Sequence, residues 1–257
     1  MNIIRTSVEG QIGIVTMARP EKRNSLSAEM VAAMSDAIAA MGADDSVRVV
    51  VLRGEGPAFC AGADLAYLRQ ISDNSVLDNL ADSTALMRMM QSIVELPKPV
   101  IAMVHGPAIA GGCGLATVCD LVVAGREGAQ FGYSEVRIGF IPAIVMVYLL
   151  RKIGDTQARR LILTAENVSA TEAHRLGLIS HVVDDADLET ATMDLARTVA
   201  KNSASALKLS KDMLTALHGM SLDAGLRYAT SMNALARQTD DCRQGIERFL
   251  QQSQSRG

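Results

Sequence analysis

One carboxyl group stands apart in this sequence. Glu135 sits in Phe131-Gly132-Tyr133-Ser134-Glu135-Val136-Arg137-Ile138-Gly139-Phe140-Ile141-Pro142, where Arg137 is the only other charged residue. An acid with so little polar company is open to a raised pKa and to work as a proton donor or acceptor. The plainer alternative is a surface Glu paired with Arg137. Two further segments offer main-chain chemistry. Phe59-Cys60-Ala61-Gly62-Ala63-Asp64-Leu65 and Gly106-Pro107-Ala108-Ile109-Ala110-Gly111-Gly112-Cys113-Gly114-Leu115 are runs of small residues, each following a strand-like stretch and opening into a helix. Small side chains let a ligand reach backbone N–H groups, and a helix start favours negative charge. Singly, each run also suits an ordinary tight strand-to-helix turn. Together they could aim one N–H apiece at one oxygen, which is what an oxyanion hole requires, and that demands a carbonyl substrate.

Phosphate cradling fits the glycines poorly, because no Lys-Ser/Thr follows them and the GxGxxG spacing is absent. His105, His174, His181 and His218 have no ligand spacing, so a structural His is expected and no metal site. Cys60 and Cys113 flank the two turns without a base positioned beside them, so they are expected as small buried residues rather than nucleophiles. With Cys119 and Cys242 they are too scattered for a disulfide framework, which favours a reducing, cytoplasmic setting.

The elements that must hold these groups follow a strand–helix grammar. Strand-like QIGIVTM precedes a helical segment from Ser27 to Met41, and β-branched VRVVVL from Val47 marks a buried strand. VIAMVH at 100–105 and DLVVA at 120–124 are two more. Between the strand from Val47 and that at 100–105, Val76 to Glu95 has helical spacing, and Pro97 and Pro99 forbid its continuation. Such units imply an α/β core with helical crossovers. After Val183 the segments 187–200, 203–217, 221–236 and 240–250 all read as helices, with Asp240 or Asp241 as N-cap of the last. The expected division is therefore a core over 1–190 and a helical region over 191–257.

The chain has 257 residues, 49% hydrophobic and 21% charged, with a formal net charge of -3. At about 150 residues per domain this is one or two domains with a real core, and disorder is excluded. No general cationic field exists for nucleic acid or an anionic membrane. The N-terminal residues lack a signal-peptide pattern. The charge-free stretch from Pro99 to Cys119 is broken by Pro107, four glycines and His105, so it reads as strand, turn and helix rather than a membrane span.

In order and spacing, FCAGADL, PKPVIAMVHGPAIAGGCGLATVCDLVVAG and FGYSEVRIGFIP resemble the crotonase (enoyl-CoA hydratase/isomerase) superfamily. RPEKRNSL, TEAHRLGLISHVV and DDCRQGIERFL extend the resemblance over nearly the whole chain. It implies a crotonase-like α/β spiral of repeated ββα units, a C-terminal helical trimerisation region, assembly as a homotrimer or a hexamer, and action on acyl-CoA thioesters. No dissociable cofactor is implied, since CoA belongs to the substrate. By motif match the oxyanion donors fall on the N–H groups of Ala61 and Gly111, and the acid/base on Glu135. Substrate contacts fall on Arg23, Ser25, Ala63, Asp64, Leu65, Gly114 and Pro142; Arg23, with Arg19 and Lys22, suits CoA phosphates.

The chain departs from the family at one informative place. Family hydratases carry a first glutamate where this chain has Gly114. Three options follow: hydration by Glu135 alone, double-bond isomerisation by the same acid, or a non-catalytic acyl-CoA-binding member. The SEVRIGFIPA and IVMVYLLRKIG segments are nearest in pattern to methylglutaconyl-CoA hydratase-like members, which points to a branched or glutaconyl-type enoyl group. The dienoyl isomerases of the family use a second acid where this chain has Ala143, so that subclass is not expected.

Overall fold

Apolar runs too continuous for a half-exposed sheet become strands covered on both faces. The computed structural model describes residues 2–63, 67, 69 and 73–254. Its larger sheet contains β1 (Ile4–Glu9), β2 (Ile12–Met17), β3 (Val49–Gly54), β4 (Val100–Val104), β6 (Leu121–Gly125) and β9 (His181–Val183), hydrogen-bonded in that order. Within this sheet only β1 and β2, among the described strands, pair antiparallel. β1 is an edge strand, largely exposed; β2, β3 and β4 are almost wholly buried. A smaller sheet joins β5 (Ala108–Ile109), β7 (Gln130–Gly132) and β8 (Asn167–Ser169).

The alternation of side chains along the strands divides the core in two. Val15, Met17, Val50, Leu52, Ala102 and Val104 face α1 (Ala28–Ala43), α2 (Val76–Glu95) and α3 (Gly111–Val118). Ile12, Ile14, Val49, Val51 and Ile101 face the other way, onto Leu188, Met193, Ala196 and Ala200 of a later helix. Successive ββα turns thus place one strand in each sheet: β4, β5 and α3, then β6, β7 and α4 (Ala143–Thr164). The remaining helices are α5 (Ala170–Arg175), α6 (Leu188–Ala200), α7 (Ala204–Leu217), α8 (Leu222–Ala236) and α9 (Asp240–Gln254).

The helix expected over Val76–Glu95 is found with those bounds, capped by a reciprocal Ser75–Asp78 box. The strand expected from Val47 begins at Val49, because the Val47 N–H turns back to the Asp44 carbonyl. Position 190 falls inside α6, whose apolar face completes the larger sheet, so the packed core runs through Ala200. The last helix is not capped by Asp240 or Asp241. Thr239 Oγ1 accepts the Cys242 N–H, while the Asp241 carboxylate accepts the hydroxyls of Ser203 and Ser205 and so ties α9 to the start of α7. None of the described helices is long and apolar enough to cross a membrane.

Candidate active site

The two small-residue runs are pressed together by contacts that only glycine permits. A Cβ on Gly62, where φ is +84°, would stand 2.8 Å from the Ile109 carbonyl oxygen; one on Gly112 would stand 2.1 Å from that of Cys60. The Cys60 N–H donates to Pro107 O, and the Ile109 N–H to Cys60 O. Asn24 clamps the first run from behind. Its buried Nδ2 lies 2.9 Å from the carbonyl oxygens of Glu55 and Ala58, and its Oδ1 accepts the Arg19 N–H.

The amides within these runs have different fates. Ala110 is held at φ 52° and ψ −125°, a rare conformation for a residue with a side chain, and donates its N–H to Gly132 O. That turn leaves Gly111 as the first residue of α3, whose N–H has no intrahelical acceptor. Across the cleft, the Ala61 N–H donates to Arg23 O at 3.0 Å. This corrects the expectation that Ala61 is a donor to ligand: its hydrogen is already committed. Ala63 forms a parallel bridge with Leu26 in which the Leu26 N–H donates to Gly62 O at 2.6 Å. In that pattern Leu26 uses its own groups while those of Ala63 face away from it. Among the described residues the N–H groups of Ala63 and Gly111 thus have no backbone acceptor, and both residues line one cavity of about 550 Å³.

Glu135 lines the same cavity, at the start of a 3₁₀ turn over Glu135–Ile138 that follows β7. Its Oε2 is buried without a hydrogen-bond partner, and burial raises its pKa above the usual carboxylate range. The alternative of a pair with Arg137 is not realised, since the Arg137 guanidinium donates to the Ala165 carbonyl. Cys60 and Cys113 are fully buried, with thiols pushed up to about 12 by desolvation, as inert core residues should be. His105 lies 2.9 Å from Gly56 O through Nε2, a structural contact.

Behind the donors, Lys152 on α4 fixes the far end of α3. Its Nζ reaches Thr117 O at 2.8 Å and Cys119 O at 3.0 Å, satisfying carbonyls that the helix end leaves open.

Several other expected contacts change. Gly114 is buried and not on the cavity wall: the space its side chain would enter is filled, with Val145 Cγ1 only 2.0 Å from the Cβ position. Ser25 is also buried, at 4% exposure, and is not among the residues lining the cavity. Pro142 does line the cavity, with Ala143 and Val145 beside it. Arg23 is exposed on the turn before Leu26 and Ser27, which line the cavity. Asp64 and Leu65 lie outside the described residues. A feature not expected is the pair Tyr67 and Asp82 on the cavity wall.

The Val145 contact makes Gly114→Ala an informative substitution. Overpacking of this kind costs about 1–3 kcal/mol, so urea unfolding should show a clear loss of stability. Adding Val145→Ala removes the obstructing methyls and should restore part of it. A double variant no better than the sum of the two single changes would show that the contact is not the cause.

Comparison with known proteins agrees with the fold. The Enoyl-CoA hydratase/isomerase family model matches residues 7–256. A Thermus thermophilus protein with a provisional enoyl-CoA hydratase name is 43% identical over 243 residues, covering 95% of this chain and 96% of the relative. The 2,3-dehydroadipyl-CoA hydratase of Escherichia coli is 32% identical, covering 98% and 96%. The crystal structure of an enoyl-CoA hydratase from Mycobacterium smegmatis superposes with a TM-score of 0.92 at 31% identity, covering 97% of this chain and 96% of that one. The architecture is thus the crotonase fold. The chain belongs to the enoyl-CoA hydratase/isomerase family.

Proposed function

We propose that this protein adds water to the α,β double bond of an enoyl-CoA thioester, with Ala63 and Gly111 as oxyanion donors and Glu135 as the acid/base. One observation carries the reading: a buried carboxylate oxygen without a partner shares a cavity with two uncommitted amides. Glu135 takes a proton from water as the water oxygen bonds to Cβ, and the π electrons move to the thioester oxygen. The two amides stabilise that enolate oxygen. Collapse of the enolate then draws the proton from Glu135 to Cα, regenerating the carboxylate. Both hydrogens of one water end in the product, so a single carboxyl group balances the reaction.

The acyl group is the part facing Val31, Leu86, Ile138, Phe140, Ile141 and Ile144, an apolar wall suited to a branched chain. A glutaconyl-type group finds less support, since no Lys or Arg is among the described residues lining the cavity, whereas Asp82 and Glu135 are. Lys22 and Arg23 are exposed beside the cavity rim and suit the CoA phosphates. Exposed Leu222, Leu226, Leu235, Phe249 and Leu250 on α8 and α9 support a homotrimer or a hexamer.

The isomerase reading draws on the Gly114–Val145 contact, which leaves no room for a second acid at that place. Turnover in D₂O separates the readings. Hydration converts α,β-enoyl-CoA to a β-hydroxyacyl-CoA with one deuterium retained at Cα. Interconversion of β,γ- and α,β-enoyl-CoA without any hydroxyl would establish the isomerase instead, and thioester binding without either product would establish a non-catalytic member.

A further inference from the structure

The cavity has a second polar feature that the hydration chemistry does not use. Tyr67 donates its phenolic hydrogen to the Asp82 carboxylate, and both side chains line the wall with Ser83 and Leu86. Burial and the Asp82 charge push the Tyr67 hydroxyl up to about 12, so it stays neutral with its hydrogen committed to Asp82. What the pair still offers a ligand is acceptor capacity on the Asp82 carboxylate, whose two oxygens hold more lone pairs than the Tyr67 hydroxyl uses.

Helix α2 locates this feature. The Met90 methyl lies 3.4 Å from the Cβ position of Gly114, beside Val145. Leu86 and Asp82 follow on the same face, each four residues nearer the N-terminus of the helix. At about 1.5 Å per residue the Asp82 turn is roughly 12 Å along the axis from that of Met90. Apolar Leu86 separates the two places. A polar pair at one end of an otherwise apolar wall orients a ligand by a single group.

We propose that Tyr67 and Asp82 form a subsite selecting acyl groups that carry a neutral hydrogen-bond donor, a hydroxyl being the simplest. A hydroxyl donates to the Asp82 carboxylate and so keeps a hydrogen bond on leaving water. A carboxylate has no hydrogen to give and meets the Asp82 charge, with no cation lining the cavity among the described residues. The substrate class is then a neutral hydroxylated enoyl-CoA rather than a dicarboxylic one. This rests on the acyl-CoA reading above.

The test is equilibrium binding by calorimetry, with saturated thioesters that cannot turn over: butanoyl-, hexanoyl- and octanoyl-CoA, each beside its ω-hydroxy and ω-carboxy counterparts. At one length the hydroxy ester should bind about tenfold more tightly than the plain ester, and the carboxy ester least tightly. Tyr67→Phe and Asp82→Asn should each erase the hydroxyl preference while plain-ester affinity stays within about twofold. Equal affinities at every length in the wild type, or a preference that survives both substitutions, would overturn the proposal. So would a parallel loss for all esters, which would make the pair a latch between Tyr67 and α2. If the plain esters do not bind at all, the acyl-CoA reading itself fails and this one falls with it.

Discussion

Glu135→Gln should lower turnover of an enoyl-CoA by about 10²–10⁴, the usual contribution of a positioned acid/base, and should leave the fold at least as stable at neutral pH. The two effects have one cause. Burial disfavours the charged form, so the folded-state pKa of Glu135 lies above its unfolded value. For an acid shifted in this direction, the native state gains relative stability at low pH and loses it as pH rises from the unfolded pKa through the folded one. At neutral pH the ionised group is held against its preference, and a neutral amide of the same shape relieves this. Thermal unfolding should therefore show Glu135→Gln at or above wild type near neutrality, with the difference vanishing in acid. Activity runs the opposite way, because hydration needs the ionised form as base, so wild-type kcat/KM should rise with pH through an inflection above the ordinary carboxylate range. A variant that keeps its activity would remove Glu135 from the chemistry.

How far the residues alone foretold this site depends on the distance over which each property is decided. The buried strands β3, β4 and β6 and helix α2 are set by local patterns: continuous apolar runs, a Ser75 cap, and prolines that stop the chain. Strands β5, β7 and β8 have two or three residues, too short for alternation to register, and so the smaller sheet had no signal of its own. Glu135 was legible because its neighbours in sequence are also its neighbours in space. The oxyanion donors were legible only as loops. Ala61 and Ala63 are the same residue two positions apart, and what separates them is that Arg23 takes one N–H while Leu26 pairs on the far side of the other. Likewise the missing side chain at Gly114 is visible in the sequence, but the Val145 methyl that fills its place comes from a helix on a later ββα turn. Tyr67 and Asp82 carried no motif and meet only through folding.

The reassignment from Ala61 to Ala63 makes the second large prediction, and it is best read on the backbone itself. Replacing Ala63 by lactate through nonsense suppression keeps the methyl group and exchanges the N–H for an ester oxygen. At Ala63 this should reduce kcat by about 10²–10³, the effect of losing one oxyanion donor, with a smaller change in KM because the ground-state carbonyl carries less charge than the enolate. The ester also weakens the Gly62 carbonyl as acceptor for the Leu26 N–H, so thermal stability has to be measured beside the kinetics. Lactate at Ala61 provides the contrast. There the lost hydrogen bond runs to the Arg23 carbonyl, and the expected result is a loss of about 1 kcal/mol in stability with turnover close to wild type. Glycolate at Gly111 should behave like lactate at Ala63, since the first N–H of α3 holds no helical bond; the ester there weakens the Ala110 carbonyl that accepts the Gly114 N–H, so stability is measured for this variant too. If lactate at Ala61 instead abolishes turnover while lactate at Ala63 is harmless, the donor on this side of the cleft is the one whose hydrogen points to Arg23, and the chain between Arg23 and Leu26 must rearrange when a thioester binds.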